Sequence, residues 1–326
     1  MAKKTLGRFI KDWILIIGII LGASVYLIYH AIPALHPAGP YLEKAAKAIQ
    51  PVLLFAMLFL SFCKIEPKEL KPHKWQAWLL LIQGGLFIGI SLLLAFVPAL
   101  PLRISIEALM LCLICPTATA CAVVTGKLGG DMAGAVTYTI LINLLVAVLI
   151  PLFVPLIHPT DGITFISAFT KILAKVFPLL IMPCILAWLI RYYLPKLHAV
   201  LLSHINLAFY FWATALTLAI IMSTRAIVHN GNGLRILADI AIASLLACIF
   251  QFWAGKKIGA RYDNEITAGQ SLGQKNTVFA IWVGYTFLDP VVSIAGGFYS
   301  IWHNCYNTWQ LHHKRKIEAR SKAASL

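Results

Sequence analysis

Ten long apolar runs occupy most of this chain and set what it can fold into. A helix rises 1.5 Å per residue, so crossing a hydrocarbon layer about 30 Å thick takes about 20 apolar residues. Runs of that order lie at 13–32, 45–63, 75–97, 105–126, 132–156, 176–194, 203–228, 236–255, 266–287 and 291–311. The predicted fold is an all-α polytopic membrane protein of ten transmembrane helices. An amphipathic stretch from Ile163 to Lys175 is predicted to lie along the interface. Lys3, Lys4, Arg8 and Lys11 precede the first run as they would a signal peptide. Its apolar stretch exceeds the roughly 7 to 15 residues of a signal-peptide core, so it reads as a span.

Composition enters through charge. Hydrophobic residues make up 60% and charged residues 12% of the chain, against about 45–50% and about 25% in an ordinary domain. That balance excludes a disordered, collagenous or disulfide-scaffold chain. In a soluble protein the net charge of +15 would suggest a nucleic-acid partner. Here 19 of the 27 Lys and Arg fall in segments predicted inside, 7 in segments predicted outside, and the last, Lys275, falls within a span. The inside excess predicts cytoplasmic N- and C-termini in a cell (inner) membrane and leaves no role for nucleic acid. Membrane lipids are the expected surroundings, and the basic tail from His312 reads as a solvated orientation signal. The seven cysteines, at 63, 112, 115, 121, 184, 248 and 305, lack paired metal-ligand spacing and read as free buried thiols. No metal site or cofactor is predicted.

Ten spans divide into two fives, and an odd number per half inserts the halves in opposite orientations. The predicted repeats are 1–157 and 163–326, the second carrying the interfacial helix and the basic tail. Each half is punctuated in its fourth span, at Cys115-Pro116-Thr117-Ala118-Thr119 and at Gly273-Gln274-Lys275-Asn276. Pro116 lacks an N–H and clashes with the preceding turn, so the helix should unwind there. Thr117, Thr119 and Thr125 offer hydroxyls to the freed backbone. Corresponding interruptions in two halves point to a transport site near the bilayer midplane. A lysine at that depth costs about 2.5–3.5 kcal/mol on insertion scales, which marks Lys275 as functional. A half-helix starting after it would aim its positive dipole end at the same place, describing an anion site. The plainer readings are a proline kink and a snorkelling lysine, but Lys275 is 9 residues from Ile266 and 12 from Phe287.

These residues resemble the bile acid:sodium symporter family, including its bacterial members and the related pantoate and arsenite carriers. Cys115-Pro116-Thr117-Ala118-Thr119-Ala120-Cys121-Ala122 is similar to the family's CPGGTASN segment, and Gly130-Asp131 follows where the family has a glycine. Gly273-Gln274-Lys275-Asn276 is similar to its GMQN, and Tyr299-Ser300-Ile301-Trp302-His303-Asn304 to its YSVWHN. The resemblance implies two inverted five-helix repeats whose broken fourth and ninth helices cross. It further implies a core of spans 3–5 and 8–10 set against a panel of spans 1, 2, 6 and 7. It points to Thr117, Thr119, Asn276, His303 and Asn304 for substrate. Asn143 is added because it shares a helical face with Thr139 by i+4 spacing, which Tyr138 does not.

The departures concern the ion sites. The positions equivalent to family sodium ligands are Gln83, Cys121, Ala122, Thr139, Ser271, Leu272, Gln274 and Lys275. Gln83 and Thr139 fit, but a Ser-Asn pair has become Cys121 and Ala122, a Glu has become Ser271, and a Gln has become Lys275. Sodium favours hard oxygen ligands, so a thiol, a methyl and an ammonium argue against it. Two sodium ions with one carboxylate leave a single positive charge, as does protonated Lys275 beside Ser271. The expectation is that the Lys275 ammonium stands where a sodium would bind, held by Gln83, backbone carbonyls and Ser271.

The predicted function is a sodium-independent secondary transporter of a small organic anion, bile acid-like or another carboxylate, working by alternating access. A sodium- or proton-coupled symporter and an anion channel are the alternatives. No Walker motif, HExxH helix, nucleophile elbow or carboxylate pair supports an enzyme. Asp239 and Glu107 are expected at interfaces, and Trp75, Trp78, Trp253 and Trp309 as interfacial anchors.

Overall fold

The computed structural model describes residues 2–159, 163–204, 207–229 and 233–324, which among them form fourteen α-helices and no strand. The first five-run segment gives α1 (Ala2–Ala31), α2 (Gly39–Cys63), α3 (Lys74–Phe96), α4 (Arg103–Ile114), α5 (Cys121–Leu128) and α6 (Met132–Ile157). The rest gives α7 (Phe165–Leu180), α8 (Met182–Tyr193), α9 (Pro195–Ser203), α10 (Leu207–Val228), α11 (Gly233–Gly259), α12 (Glu265–Gly273), α13 (Thr277–Phe287) and α14 (Ile294–Ala324).

Among the described residues five helices are long and apolar enough to cross a membrane, or six if α7 and α8 form one span bent by 40°. Ten runs do not become ten long helices, for local reasons. Run 105–126 splits into α4 and α5, of 12 and 8 residues, and run 266–287 into α12 and α13, of 9 and 11. Each half-helix is shorter than the bilayer core. The apolar part described for α1, Ile17–Ala31, is also short. In α14, Asn, His and Gln interrupt the apolar pattern, and the helix runs on through the basic tail to Ala324.

The stretch 163–175 runs on beyond Lys175 as one helix. It belongs to α7, which Thr164 caps by accepting from Ser167 N at 3.3 Å. Its buried positions Ile172, Val176, Leu179 and Leu180 fall at i, i+4, i+7 and i+8, the stripe of a helix packed on a neighbour. That neighbour is α6. The bend at Ile181 lies between Pro178 and Pro183, each of which removes a ladder donor.

Two sets of contacts organise the bundle. In one, α10 packs on α1 and α2, and α2 on α8. In the other, α11 packs on α12, α4 and α14, α3 on α6 and α4, and α13 on α14. Glycine brings α12 hard against α11: a Cβ at Gly255 would stand 2.6 Å from Ala268 O, and one at Gly273 would stand 2.4 Å from the Phe252 ring. Both approaches fix the helix that leads into the second break.

Burial bears on several of the surface expectations. Glu107 is buried, because Arg103 Nε and His158 Nε2 each meet its carboxylate at 3.0 Å and satisfy it away from water. Trp75 is buried between His73 and Tyr138, whereas Trp78, Trp253 and Trp309 are exposed as expected of anchors. Six cysteines are buried and Cys305 is exposed; all seven are free. Asp239 is partly exposed near the start of α11.

Candidate functional site at the meeting of two broken helices

Pro116 ends α4, and Cys115 before it takes an extended ψ of 131°, as the residue preceding a proline must. The chain stays open until Cys121 starts α5. In the second half α12 stops at Gly273, Gln274 is extended with ψ 104°, and α13 starts at Thr277. The two open segments meet as an antiparallel bridge between Thr117 and Lys275. Ala118 N donates to Gln274 O at 2.9 Å and Asn276 N donates to Pro116 O at 2.8 Å. Backbone with no helical partner is tolerated at membrane depth when other protein groups satisfy it, and here each break satisfies the other.

A helix end leaves its last carbonyls without intrahelical donors; at α4 Cys115 N serves Leu111 O, and the carbonyls beyond it are served from elsewhere in the fold. Gln251 Nε2 donates to Cys112 O at 3.2 Å, Lys275 Nζ to Leu113 O at 3.4 Å, and Gln83 Nε2 to both Ile114 O and Cys115 O at 3.0 Å. At α12, Thr117 Oγ1 donates to Ser271 O at 2.7 Å and Tyr299 OH donates to Gly273 O at 2.8 Å. Lys275 is 1% exposed and reaches the carbonyl end of α4. A helix C-terminus carries roughly half a negative charge, which favours a cation there.

Asn276 faces the opposite kind of end. Its Oδ1 caps α13 by accepting from Phe279 N at 3.2 Å. With the oxygen committed, the amide Nδ2 is left buried and without a partner. Ser271 Oγ and Gln274 Oε1 are also buried without partners. One short segment thus holds a buried lysine amine, two unmatched oxygens and one unmatched N–H donor. Buried polar atoms are nearly always paired, and here three unmatched ones fall within six residues of sequence.

Several predicted site residues converge here. Thr117, Lys275, Asn276, Gln274, Ser271 and Leu272 lie in the two breaks or the turn before them, all buried. Thr119, Ala122 and Thr139 line a cavity of about 110 Å³ between α2, α5 and α6, together with Ser61 and Lys64 of the α2 end. Cys121 is buried with its Sγ 3.8 Å from Thr125 Oγ1. Gln83 reaches the break, where its Oε1 accepts from Tyr138 OH at 2.9 Å, and among the described residues no hydrogen bond joins it to Lys275. Carbonyls at the end of α4 are the stronger claim on its amide, since they have no helical donor of their own.

The last span contributes less directly. His303 is buried and stacks edge-on to Tyr299 at 5.6 Å, one residue removed from the break. Asn304 is partly exposed and donates to Ser300 O of its own helix at 2.7 Å. Asn143 is buried with Nδ2 unmatched, and among the described residues no hydrogen bond ties it to the break. Tyr138, set aside on face grounds in favour of Asn143, is the α6 residue that reaches the site. Gln251 and Tyr299 were equally missed as supports, and Gln251 Nε2 also donates to Tyr299 OH at 3.1 Å. A glutamine in the middle of an apolar helix was the available signal, since an amide there needs partners.

The family model described as Sodium Bile acid symporter family matches residues 51–230. No curated protein matches the chain.

Proposed function

The chain belongs to the sodium bile acid symporter family, and from that premise we propose a sodium-independent carrier of a small organic anion in which Lys275 replaces a coupling cation. Membership makes it a membrane transporter of the bile acid or organic anion type. The finer reading rests on one observation: the buried Lys275 ammonium donates to Leu113 O at the carbonyl end of α4. Half-helix C-terminal ends are where carriers with broken helices coordinate sodium. Cys121 and Ala122 offer no hard oxygen from their side chains, so little remains to bind the ion itself. A cation attached to the chain cannot cross the membrane, and the sodium gradient drops out of the cycle.

The anion side of the site is Asn276 Nδ2, fixed by the cap that its own oxygen makes, with Thr119 in the adjoining cavity. Ser271, Leu272, Gln274, Gln83, Cys121, Ala122 and Thr139 frame the former ion positions. Thr117 holds the crossing together, while His303, Asn304 and Asn143 stand behind it. The ten spans of this reading are α1, α2, α3, α4 with α5, α6, α7 with α8, α10, α11, α12 with α13, and α14. The contacts of α10 with α1 and α2, and of α2 with α8, support a panel of α1, α2, α8 and α10, to which α7 is assigned as the first part of the sixth span although it packs on α6; the core of this reading is α3, α4, α5, α6, α11, α12, α13 and α14.

Alternating access needs one end closed while the other opens. At the end of α13 remote from the break, Arg225 of α10 donates to Tyr285 OH at 2.8 Å, and Tyr285 OH donates to Glu43 of α2 at 3.3 Å. Glu43 also pairs with Arg225 and with Lys47. This ties panel to core about 14 Å along α13 from Asn276. The small cavity beside the break lies instead at the Ser61 end of α2, about 27 Å along the helix from Glu43. The pairing supports a closure between panel and core at the predicted outer end, beside a cavity of about 550 Å³ lined by Tyr26, His36, Glu43, Arg225 and Tyr285.

Saturable counterflow of a radiolabelled organic anion in proteoliposomes tests the carrier assignment. Trans-acceleration by unlabelled anion is expected; linear, unsaturated flux with electrical conductance would instead indicate a channel.

A further inference from the structure

A different surface, away from the crossing, carries two adjoining grooves. Near its C-terminal end α11 presents an exposed ridge, Trp253 and Lys257, with a groove on either side. The first groove, of about 710 Å³, runs between α11 and α14 over Leu245, Ile249, Trp302 and Cys305, with Lys256 and Lys257 among its lining. The second, of about 500 Å³, runs between α11 and α3 over Leu81, Gly85, Leu86 and Phe250, with Lys257 and Arg261 among its lining. Each is apolar toward the middle of α11 and cationic toward its end. Ile249 and Lys257 are separated by about 12 Å along the axis.

The cations are held in place. Lys257 Nζ stands 4.8 Å over the Trp253 ring and Lys256 Nζ stands 5.7 Å over the Tyr306 ring. Exposed Trp78, Trp253 and Trp309 mark this end of the bundle as headgroup depth, and Trp78 Nε1 donates to Tyr262 OH at 3.0 Å. Glu265 is the single carboxylate among the residues lining the two grooves, against Lys256, Lys257 and Arg261. An ordinary annulus of lipid needs only apolar surface. Two apolar troughs meeting at one cationic ridge match a molecule with two chains and one anionic head.

Gly85 supports the same reading. No atom lies within 4 Å of a Cβ built there, so packing does not demand glycine. Glycine inside a helix costs about 0.5–1 kcal/mol relative to alanine. Its effect here is to leave the floor of the second groove open.

We propose that the two grooves hold one anionic phospholipid, an acyl chain on each side of Trp253 and the phosphate among Lys256, Lys257 and Arg261. The test is native mass spectrometry of the purified full chain in mild detergent, titrated with phosphatidylglycerol or with phosphatidylcholine of the same chains. One phosphatidylglycerol should stay bound under conditions that strip phosphatidylcholine. A basic residue near an anionic headgroup is worth about fivefold in affinity, so Lys256→Gln with Lys257→Gln should weaken phosphatidylglycerol about 25-fold. Gly85→Leu should fill the groove and abolish retention without lowering Tm. Equal retention of both lipids by the unmodified chain overturns the proposal. So does unchanged phosphatidylglycerol affinity in the folded double variant. If that variant does not fold, Gly85→Leu decides alone, and undiminished binding there overturns it.

Discussion

Lys275→Gln removes the charge while keeping a side chain able to donate to Leu113 O. In the parent chain that ammonium is 1% exposed and engages the carbonyl end of α4. A hydrogen bond to a charged group contributes about 1.5–3 kcal/mol, equivalent to roughly 10- to 150-fold in an equilibrium constant. If the positive charge substitutes for a bound cation, the variant should lose at least about tenfold in apparent anion affinity in sodium-free proteoliposomes. The amide oxygen also restores one hard ligand beside Ser271 and Gln274, so sodium should recover part of the loss. Lys275→Met is the matched control: similar length, no charge, no oxygen, and no recovery by sodium expected. Initial uptake of labelled anion in choline chloride and in sodium chloride measures both effects. Full activity of Lys275→Gln without sodium would refute the reasoning, because the charge would then have no part in transport.

Three further outcomes follow from the contacts. Asn276→Asp keeps the oxygen that caps α13 but loses the Nδ2 donor and adds negative charge, so Tm should hold within a few degrees while anion uptake falls to background. Tyr299→Phe strips the donor from Gly273 O and should destabilise the folded protein by about 1–3 kcal/mol, read as a lowered Tm in detergent with a rise in KM smaller than that of Asn276→Asp. Tyr285→Phe cuts the link from α13 to Glu43 and Arg225; maleimide labelling of a cysteine introduced by Met222→Cys, at the adjoining pocket, should accelerate, and an unchanged rate would remove the outer closure from the account.

The breaks were legible because the residues that make them act on their own backbone. Pro116 cannot donate whatever surrounds it, and Gly273 before Gln274 and Lys275 is a poor place to continue an apolar helix. The cost of a lysine at that depth was likewise a property of the residue. Which donor serves which carbonyl was not legible, because Gln83, Gln251, Tyr138 and Tyr299 come from four helices whose register only packing sets. The sequence reading gave Gln83 to Lys275, but two carbonyls at the end of α4 take its amide and Tyr138 takes its oxygen. The packing of residues 165–175 on α6 was not legible, because an amphipathic stripe looks the same whether it faces lipid headgroups or another helix. The burial of Glu107 was not legible because one of its two partners, His158, lies 51 residues away beyond α6.

The central claim is that this carrier needs no sodium because its cation is covalent. Uptake of one labelled organic anion by the unmodified protein, compared at equal ionic strength in sodium chloride and choline chloride, tests it most directly. Equal initial rates and equal accumulation are predicted. Uptake that stops in choline chloride and returns with sodium would contradict the account.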